Sequence, residues 1–593
     1  MQHEQDKSLL LTAGCCLLFV VMAIFGWIKL QYGFNMIDEG MYMVDGWRLS
    51  AGDSLFPDSA MNATMLYSVF NALVFKLHPE ITLLGFRQLQ YSLTLLSILV
   101  FGAAIYRWNR KLWPILLTLA VFAFTGLDTI GNNSNMSYYT YPHLFFTLHI
   151  ALFILALTCP KVWTRYSLFV GSGVALWGVG FSLLPLSASM ISPVLVWLAA
   201  KQLKGADREF SFGEVLLVLS PGVILWGACI AVFNQAFFGA ILDTYRYVEE
   251  GAGTQARINQ PALSYIAATT VFWFILIAAG RLPVRRMLAL VSVASVAMFG
   301  IMYSNLFGLI PPYWKGWLNN QMWASAFLIT FMAAFPVYLI RCKRNNLLCD
   351  SDDYLLLVIL VPAILFVLLF SNFSSIGIVT TLYVAIPAFM ALALFVIRYL
   401  EKHSSTRQGV VAAAMTAILL PFFYQLAWSD WKFTYFDLAP DKLTNTIRGG
   451  FANGIKTNPV FADLVQWMET TADTFSTPQD FAIVMDQTPM GYMLIKRRPS
   501  LNHSWTGWAK SSSLRREAMQ AMLKGNRQPK IVYRFLRMPV MYPISVRDGT
   551  YALSPIVFHY DDDPISAYVM AQMQRVNTFS VNGVPWVELY VRK

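Results

Sequence analysis

Long apolar runs recur through the first 430 residues and constrain the fold more than any other feature of this chain. Most of them approach the ~20 residues that an α-helix needs to cross the hydrocarbon of a bilayer. We predict thirteen spans, with approximate limits 9–30, 82–106, 112–127, 143–158, 166–182, 186–200, 212–238, 264–280, 287–303, 321–340, 354–371, 378–397 and 409–427. Only 13% of the 593 residues are charged, against about 25% in soluble proteins. The pattern predicts a polytopic α-helical membrane protein.

Basic residues between the spans predict the topology. The formal net charge is +11, but it is dispersed in short loops, so we exclude nucleic-acid binding. The basic loops are residues 107–111, 161–165, 201–208, 281–286, 341–346 and 398–407. Placing them all in the cytoplasm puts the N-terminus inside and the C-terminus outside. The first apolar run lacks a clear cleavage site and is long enough to span, so we expect a retained helix.

Residues 1–430 are therefore expected to form the transmembrane domain, and residues 431–593 a C-terminal α/β extracytoplasmic domain. Strand-like runs at 481–486 and 584–591 alternate there with a helix-like run at 459–471. None of the six cysteines falls in this C-terminal domain. No disulfide framework is implied.

The first loop, residues 31–81, is the longest one predicted on the outer side. Segments 38–50 and 60–77 place apolar residues at helical spacing, which predicts two helices in the membrane interface. Asp38 and Glu39 lie about nine residues beyond the first span. Because carboxylates close to lipid are costly, we select this pair for chemistry. The alternative is that both acids cap the helix that follows, and the two roles are compatible.

The sequence DEGMYMVDGWRLSAGDSLFPD, between a first span and a second span that opens with Arg87, resembles the first loop of membrane glycosyltransferases of the GT-C class. The families that it resembles are the protein O-mannosyltransferases and the lipid A aminoarabinose transferases. The resemblance implies a donor sugar linked to a polyprenyl phosphate, such as undecaprenyl phosphate, and transfer at the outer face. It extends to the thirteen-span layout and the outer C-terminal domain, but only the first-loop motif is specific at residue level.

The implied chemistry suits the two acids. An acceptor hydroxyl must lose its proton as it attacks the anomeric carbon, and a carboxylate within hydrogen-bond reach accelerates that step on the order of 100- to 10,000-fold. By resemblance, Asp38 is the general base, and Glu39 positions the acceptor or the Asp38 side chain. The leaving phosphate needs a cation or backbone donors. Metal use stays open, because carboxylates can bind a divalent cation whereas proton abstraction needs none.

Further substrate-binding candidates come from the outer loops. Tyr42 belongs to the first-loop motif, and Asp128 occupies a region where related enzymes place an acid facing the cavity. An ordinary polar turn is the alternative for Asp128. His143 opens a span, where a hydrogen-bonded residue at the interface is favoured over a ligand.

Four cations are candidates for the donor phosphate: Arg87, Arg246, Arg257 and Lys315. A snorkelling interfacial anchor is the alternative for Arg87, and an aromatic belt with one lysine is the alternative for Lys315. We expect one or two of the four to contact phosphate.

A basic and aromatic segment at 495–510 stands out in the C-terminal domain. Its Lys496, Arg497, Arg498 and His503, with Trp505 and Trp508, could contact a glycan or a lipid headgroup. The favoured alternative is a solvated basic strand end with two core tryptophans. No His/Cys spacing indicates a zinc site, so no metal ligand is assigned.

Three functions compete. The first is an inverting glycosyltransferase of the bacterial inner membrane, which moves a hexosyl or pentosyl group to lipid A or another lipopolysaccharide or cell-envelope glycan, to a lipid or to a protein. The second is a transporter or flippase of lipid-linked glycans, which is disfavoured because the spans contain almost no charged or polar residues. The third is an O-antigen polymerase or ligase, which is disfavoured because the late outer loops are short. The sugar and the acceptor are not specified by the sequence.

Overall fold

The computed structural model describes most of the first half of the chain and most of the C-terminal domain. The described ranges are 2–55, 65–109, 140–201, 211–252, 351–373, 437–502, 512–545, 550–560 and 562–593, with isolated residues between them (112, 115, 116, 119, 387, 390, 391, 434, 504 and 506).

Thirteen α-helices lie in these ranges. They are α1 (Gln2–Lys29), α2 (Asp38–Ser50), α3 (Met65–Leu77), α4 (Leu83–Asn109), α5 (Thr140–Thr158), α6 (Val162–Ser182), α7 (Ser192–Ala200), α8 (Phe212–Ala252), α9 (Ser351–Phe373), α10 (Pro459–Phe475), α11 (Met490–Ile495), α12 (Ser512–Lys524) and α13 (Pro564–Gln572).

The chain is a membrane protein. Four of the described helices are long and apolar enough to cross a bilayer, over Thr12–Lys29, Leu83–Trp108, Thr140–Thr158 and Phe212–Val232. Large apolar side chains remain exposed on α1 and α8, such as Leu10 at 73% and Val232 at 74%, as expected of helices that contact lipid. Helices α6 and α9 also lie at predicted positions. The total of thirteen spans depends on residues outside the described ranges and stays a prediction.

Two predicted spans differ in detail from the structure. The span at 186–200 is a 3₁₀ segment, Leu184–Ile191, followed by only nine residues of α-helix in α7. Pro185 and Pro193 lie at the starts of these two pieces. Proline is tolerated in the first turn of a helix but breaks a helix when it lies in the interior, so one continuous helix does not form here. The span at 212–238 is longer than predicted, because α8 runs for 41 residues. At 1.5 Å per residue this helix is about 60 Å long, which exceeds the ~30 Å hydrocarbon.

Polar side chains inside the spans are more numerous than we expected from the sequence. Helix α4 buries Gln90, Thr94 and Ser97, and α5 buries Thr147 and His149. The expectation that the spans contain almost no polar residues is therefore wrong for these two helices. A hydropathy average hides such residues, because the leucines and phenylalanines around them dominate the sum.

The C-terminal domain contains the predicted α/β fold. Its strands are β1 (Asn445–Thr446), β2 (Lys456–Thr457), β3 (Phe481–Val484), β4 (Arg498–Pro499), β5 (Pro529–Phe535), β6 (Met541–Ser545), β7 (Thr550–Leu553), β8 (Met573–Val581) and β9 (Val584–Arg592). Five of them form one sheet in the order β4-β3-β5-β9-β8. Strand β3 pairs in parallel with β4 and β5, whereas β9 is antiparallel to β5 and β8. The predicted strands at 481–486 and 584–591 and the predicted helix at 459–471 are confirmed as β3, β9 and α10.

Both faces of this sheet are covered by helices. Ala482 and Val484 of β3 pack with α10, whereas Ile483 and Met485 join the cluster formed with α12 and α13. This alternation follows from the period of two along a strand. The α10 cluster is continuous with residues of α2, α4 and α5, so the C-terminal domain and the first loop share one hydrophobic core.

Backbone hydrogen bonds also join the first loop to the C-terminal domain. The Gly33 N–H donates to the Lys456 carbonyl at 2.9 Å, and the Lys456 N–H donates to the Gln31 carbonyl at 2.6 Å. The Leu83 N–H donates to the Phe451 carbonyl at 2.8 Å. The end of α1 and the start of α4 are therefore both fixed against the C-terminal domain.

Candidate active site

The acidic pair begins helix α2. Asn35 provides the helix start, because its Oδ1 accepts the N–H groups of Ile37 at 2.8 Å and of Asp38 at 3.2 Å. Asp38 and Glu39 occupy the first turn, where negative charge is favoured by the helix dipole. Asp38 is half-buried, whereas Glu39 is only 1% exposed. Adjacent acids are thus given different environments.

Glu39 forms a buried ion pair with Arg87. The guanidinium Nε and Nη2 of Arg87 donate to Oε1 and Oε2 of Glu39, at 2.7 and 2.5 Å. Two parallel bonds of this kind fix the geometry of a carboxylate as well as its charge. Glu39 is therefore held on the side of α2 that faces α4.

Arg87 also holds the chain that leads into α2. Its Nη1 donates to the Leu30 carbonyl at 2.7 Å, and its Nη2 donates to the Gly33 carbonyl at 2.9 Å. Because the guanidinium has five N–H groups, these bonds and the Glu39 pair occupy most of its donors. This position fits a structural clamp, and a role in phosphate binding remains a proposal.

Tyr42 lies one turn after Glu39 and is buried. Its ring packs edge-on against Tyr67, with centroids 5.5 Å apart, and its carbonyl accepts a hydrogen bond from Nδ2 of Asn71 at 3.0 Å.

Asp45 is the next acid along α2. Its carboxylate accepts hydrogen bonds from the hydroxyls of Tyr67 and Ser504, each at 3.0 Å. Burial raises the pKa of the Asp45 carboxyl, although nearby Arg48 and the two hydroxyls act to lower it.

A cluster of charges joins α2 to the sheet of the C-terminal domain. The buried Asp53 carboxylate accepts Nε of Arg48 at 2.8 Å and also pairs with Arg498. Arg527 approaches the same carboxylate at 3.4 Å. Burial acts to raise the pKa of the Asp53 carboxyl, but Arg48 and Arg498 more than offset it and hold that pKa below its ordinary value.

Asp437 fixes the turn before α2 from the other side. Its Oδ2 accepts the N–H of Phe34 at 3.0 Å, and its Oδ1 accepts Nδ2 of Asn458 at 2.6 Å. Thr457 and the Leu438 N–H complete four hydrogen bonds to the carboxylate. Burial nevertheless raises the pKa of Asp437 to about 6.

Gly40 brings α2 into backbone contact with the C-terminal domain. A Cβ atom at this position would lie 2.0 Å from the backbone nitrogen of Met490, the first residue of α11. The Met490 N–H in turn donates to the Met36 carbonyl at 3.2 Å. The residue next to the acidic pair must therefore be glycine for α11 to dock as it does.

Both predicted helices of the first loop are present, but their surroundings differ. Helix α2 is enclosed by protein along most of its length. Helix α3 exposes Val69, Leu73 and Leu77, which suits the predicted position in the membrane interface. That membrane placement stays a prediction for α3.

The side chains of most other predicted site residues are not described by the structure. Asp128, Arg257 and Lys315 lie outside the described residues, and the side chain of Arg246 on α8 is likewise not described. His143 lies in the first turn of α5, and its Nδ1 is buried without a hydrogen-bond partner among the described residues. The hydrogen bond that we expected for His143 is therefore not seen at this nitrogen.

The basic segment of the C-terminal domain serves folding in the part that is described. Arg497 is buried and caps the end of α10, donating to the carbonyls of Ala472 and Ser476 and to Asp473. Arg498 pairs with Asp53, and Lys496 is exposed. His503, Trp505 and Trp508 lie outside the described residues. Arg497 and Arg498 thus match neither a solvated strand end nor a free glycan surface.

Four site residues were missed by the sequence reasoning: Asp45, Arg48, Asp53 and Asp437. Asp45 had a usable signal, because it follows Asp38 by seven residues and so shares its face of a helix. Arg48 and Asp53 pair with each other five residues apart, but their further partners Ser504 and Arg498 are distant in sequence. The same is true of Asp437, which binds the Phe34 N–H across 403 residues. Among the residues that the structure describes, no group of three or more His, Cys, Asp and Glu side chains is arranged to hold a metal ion.

The assembled geometry suits proton transfer by a carboxylate. Asp38 is placed on a rigid helix whose start is held by Asn35, Arg87 and Asp437. Glu39 lies beside it with its charge balanced by Arg87. A fixed, partly accessible carboxylate next to a neutralised one is able to accept a proton from a substrate hydroxyl.

Comparisons with known proteins give structural likenesses only. No protein-family model matches the chain, and no curated protein matches its sequence. The oligosaccharyltransferase of Archaeoglobus fulgidus, tethered with an acceptor peptide, is 10% identical with a TM-score of 0.45, over 92% of this chain and 74% of that chain. ArnT from Cupriavidus metallidurans, bound to undecaprenyl phosphate, is 12% identical with a TM-score of 0.40, over 97% of this chain and 98% of that chain.

A second structure of the Archaeoglobus fulgidus enzyme, AglB in complex with an inhibitory peptide and a dolichol-phosphate, is 11% identical with a TM-score of 0.45. That likeness covers 90% of this chain and 70% of that chain. ArnT and AglB are GT-C class enzymes. Because these TM-scores lie below 0.5, we base the functional proposal on the geometry of the first loop and not on these likenesses.

Proposed function

We propose that this protein is an inverting glycosyltransferase that moves a sugar from a polyprenyl-phosphate donor to an acceptor, with Asp38 as the general base. The observation that carries the proposal is the unequal environment of the two adjacent acids. Glu39 is buried and paired with Arg87, whereas Asp38 is half-buried at the first turn of α2. Asp38 is the more exposed of the two acids, so a substrate hydroxyl could reach its carboxylate, whereas reaching Glu39 would break the ion pair with Arg87.

In the proposed reaction, an acceptor oxygen attacks the anomeric carbon while Asp38 takes its proton. The bond between that carbon and the phosphate oxygen breaks, and the polyprenyl phosphate leaves with the electron pair. Glu39 acts as support, because its ion pair with Arg87 fixes the turn that carries Asp38. Arg246, Arg257 and Lys315 are the phosphate contacts proposed first. Arg87 is the fourth candidate, since it is largely engaged by Glu39 and by backbone carbonyls.

The proposed setting is a bacterial inner membrane. Thirteen spans would place the N-terminus in the cytoplasm and the C-terminal domain in the periplasm. The contacts of the C-terminal domain with the first loop support placing both on the same side of the membrane. Both lie at the end of α1 and the start of α4. The proposed acceptor is an envelope glycan such as lipopolysaccharide, a lipid or a protein, and the sugar is a hexose or a pentose.

A donor-exchange experiment tests the reaction class. Purified protein in detergent, with an envelope extract as acceptor, should transfer radiolabelled sugar from undecaprenyl-phosphate mannose or undecaprenyl-phosphate aminoarabinose. It should transfer none from the corresponding nucleotide sugars. Transfer from nucleotide sugars would refute the proposal. Movement of labelled lipid across liposomes without any transfer would instead support the flippase alternative.

A further inference from the structure

Helix α4 carries a buried polar face in its first half. Gln90, Thr94 and Ser97 are each at most 6% exposed, and their spacing of four and three residues places them on one side of the helix. The same side continues into Phe101 and Ile105, which belong to the hydrophobic core of the helical part. One face thus changes from polar to apolar along the span.

Helix α5 repeats this arrangement. Thr140, His143 and Thr147 lie on one side at spacings of three and four residues, and that side continues into Ala151 and Ile154 of the same hydrophobic core. Both helices are candidate membrane spans and pack against each other. Their polar halves therefore both lie toward the ends at which α4 and α5 begin.

The first turns of α4 and α5 attach to neighbouring turns of α2. Arg87 of α4 binds Glu39. The Tyr141 hydroxyl of α5 binds Oδ1 of Asn71, whose Nδ2 donates to the carbonyl of Tyr42. Glu39 and Tyr42 are one helical turn apart. The polar faces of α4 and α5 thus start at the same level, directly beside the acidic pair.

Within the part of the chain that the structure describes, three polar atoms on these faces lack hydrogen-bond partners. They are Oε1 of Gln90, Nδ1 of His143 and Oγ1 of Thr147, and all three are buried. We call these three residues the polar stripe. Gln90 and Thr147 are 1% and 0% exposed, so neither reaches bulk water. Unpaired buried polar atoms cost stability, and in membrane spans such residues mark substrate sites.

We propose that the polar stripe binds the hydroxyl groups of the sugar that the lipid donor carries, an inference that rests on the proposed function. Sugar hydroxyls both donate and accept hydrogen bonds, which suits an amide oxygen, a hydroxyl and a ring nitrogen. A phosphate fits poorly, because an amide oxygen only accepts and the neighbouring Arg87 is engaged by Glu39. A metal ion also fits poorly, since the polar stripe supplies one ring nitrogen and two neutral oxygens, without a carboxylate or thiolate of its own.

Binding of three lipids to the wild type and four variants tests this assignment. The probes are undecaprenyl phosphate and its mannose and aminoarabinose derivatives, titrated against purified protein in detergent. The wild type should bind at least one sugar-bearing lipid more tightly than the bare lipid. Thr147→Val and Gln90→Leu should each weaken the binding of that sugar-bearing lipid about 3- to 10-fold, which corresponds to the loss of one hydrogen bond. Binding of the bare lipid should not change.

Matched controls lie on the same two helices. Thr158→Val removes a hydroxyl that bonds the Ile154 carbonyl at the other end of α5, and Gln88→Leu changes a partly exposed amide of α4. These two control variants should bind the bare lipid and the sugar-bearing lipids with the same affinities as the wild type. Thr147→Val should also melt at the same temperature as the wild type or higher, because it removes an unpaired buried hydroxyl.

The outcomes separate this inference from the proposed function. Equal affinity of the wild type for bare and sugar-bearing lipids would overturn the sugar subsite while leaving a polyprenyl-phosphate site intact. Retention of the full preference in both stripe variants would also overturn it, and would leave water as the occupant of the stripe. Failure of the wild type to bind either lipid would refute the proposed function itself.

Discussion

Arg87 donates hydrogen bonds to both carboxylate oxygens of Glu39, at 2.7 and 2.5 Å, although the two residues are 48 positions apart in the sequence. The same guanidinium binds the carbonyls of Leu30 and Gly33. One side chain thus ties the end of the first span, the start of the second span and the acidic turn of α2. The neighbouring Asp38 is left in a fixed position with a different environment.

Breaking the Glu39–Arg87 pair should destabilise the protein strongly. Glu39→Gln leaves the buried guanidinium without a counter-charge, which costs about 3–5 kcal/mol in buried pairs. Thermal unfolding in detergent measures the loss. Arg575→Gln is the matched control, because the Arg575 side chain is 60% exposed where it pairs with Glu588, and Glu588 keeps Arg534 as a second partner. This variant should leave the melting temperature nearly unchanged. Equal effects of the two substitutions would contradict a central role for the buried pair.

Gly40→Ala should displace the C-terminal domain from α2. The added Cβ would meet the backbone nitrogen of Met490 at 2.0 Å, and overpacking of this kind costs about 1–3 kcal/mol. Gly14→Ala on α1 meets nothing within 4 Å and should be neutral or stabilising. Hydrogen exchange of α2 and α11 should rise in the first variant only. Unchanged exchange in both would argue against the contact.

The stability that Asp437 and Asp486 contribute should fall as the pH rises from 5 to 7. Burial raises the pKa of Asp437 and of Asp486 to about 6, so the folded state holds these protons more tightly than the unfolded state does. Stability from a raised carboxyl pKa is present at low pH and is lost as the pH passes the folded value, by about 1 kcal/mol for each group over this range. The opposite effect of Asp53, whose pKa is lowered, appears only below about pH 4.

Melting temperature against pH checks this prediction. Between pH 5 and pH 7, Asp437→Asn and Asp486→Asn should each lose less stability, or gain more, than the wild type, whereas Asp463→Asn, at an exposed position of α10, should follow the wild type. Variants of Asp437 and Asp486 whose melting temperatures follow the wild-type pH dependence would contradict the assignment.

Labelling of introduced cysteines tests the topology. In a background without the native cysteines, Lys524→Cys lies on the exposed end of α12 and Lys161→Cys lies between α5 and α6. An impermeant thiol reagent should label the first from the periplasm of intact cells and leave the second protected. Protection of the position in the C-terminal domain would mean that the number of spans is off by one.

The helices were predictable from sequence where their periodicity is strong. α2, α3 and α10 follow apolar residues at helical spacing, and the adjacent acids Asp38 and Glu39 were selected because charge beside lipid is costly. The partners of these residues were not predictable. Asp53 and Arg498 are 445 residues apart, and a sequence displays charges without showing which of them meet.

The role of Arg87 shows the same limit in reverse. Its position at the start of a span suggested a free cation for phosphate, but the structure pairs it with the acid that the sequence reasoning treated separately. Unlike His143, the stripe residues Gln90 and Thr147 were not selected from the sequence, because they lie among strongly apolar neighbours. Gln90 and Thr147 are identified by their burial and by their unpaired polar atoms, which the structure reveals and the sequence does not.

The most direct test of the central claim is sugar transfer by Asp38→Asn. With undecaprenyl-phosphate sugar as donor, kcat should fall at least about 100-fold, while donor binding and melting temperature stay close to the wild type and Asp463→Asn remains active. Transfer by Asp38→Asn at a rate close to that of the wild type would show that Asp38 is not the base.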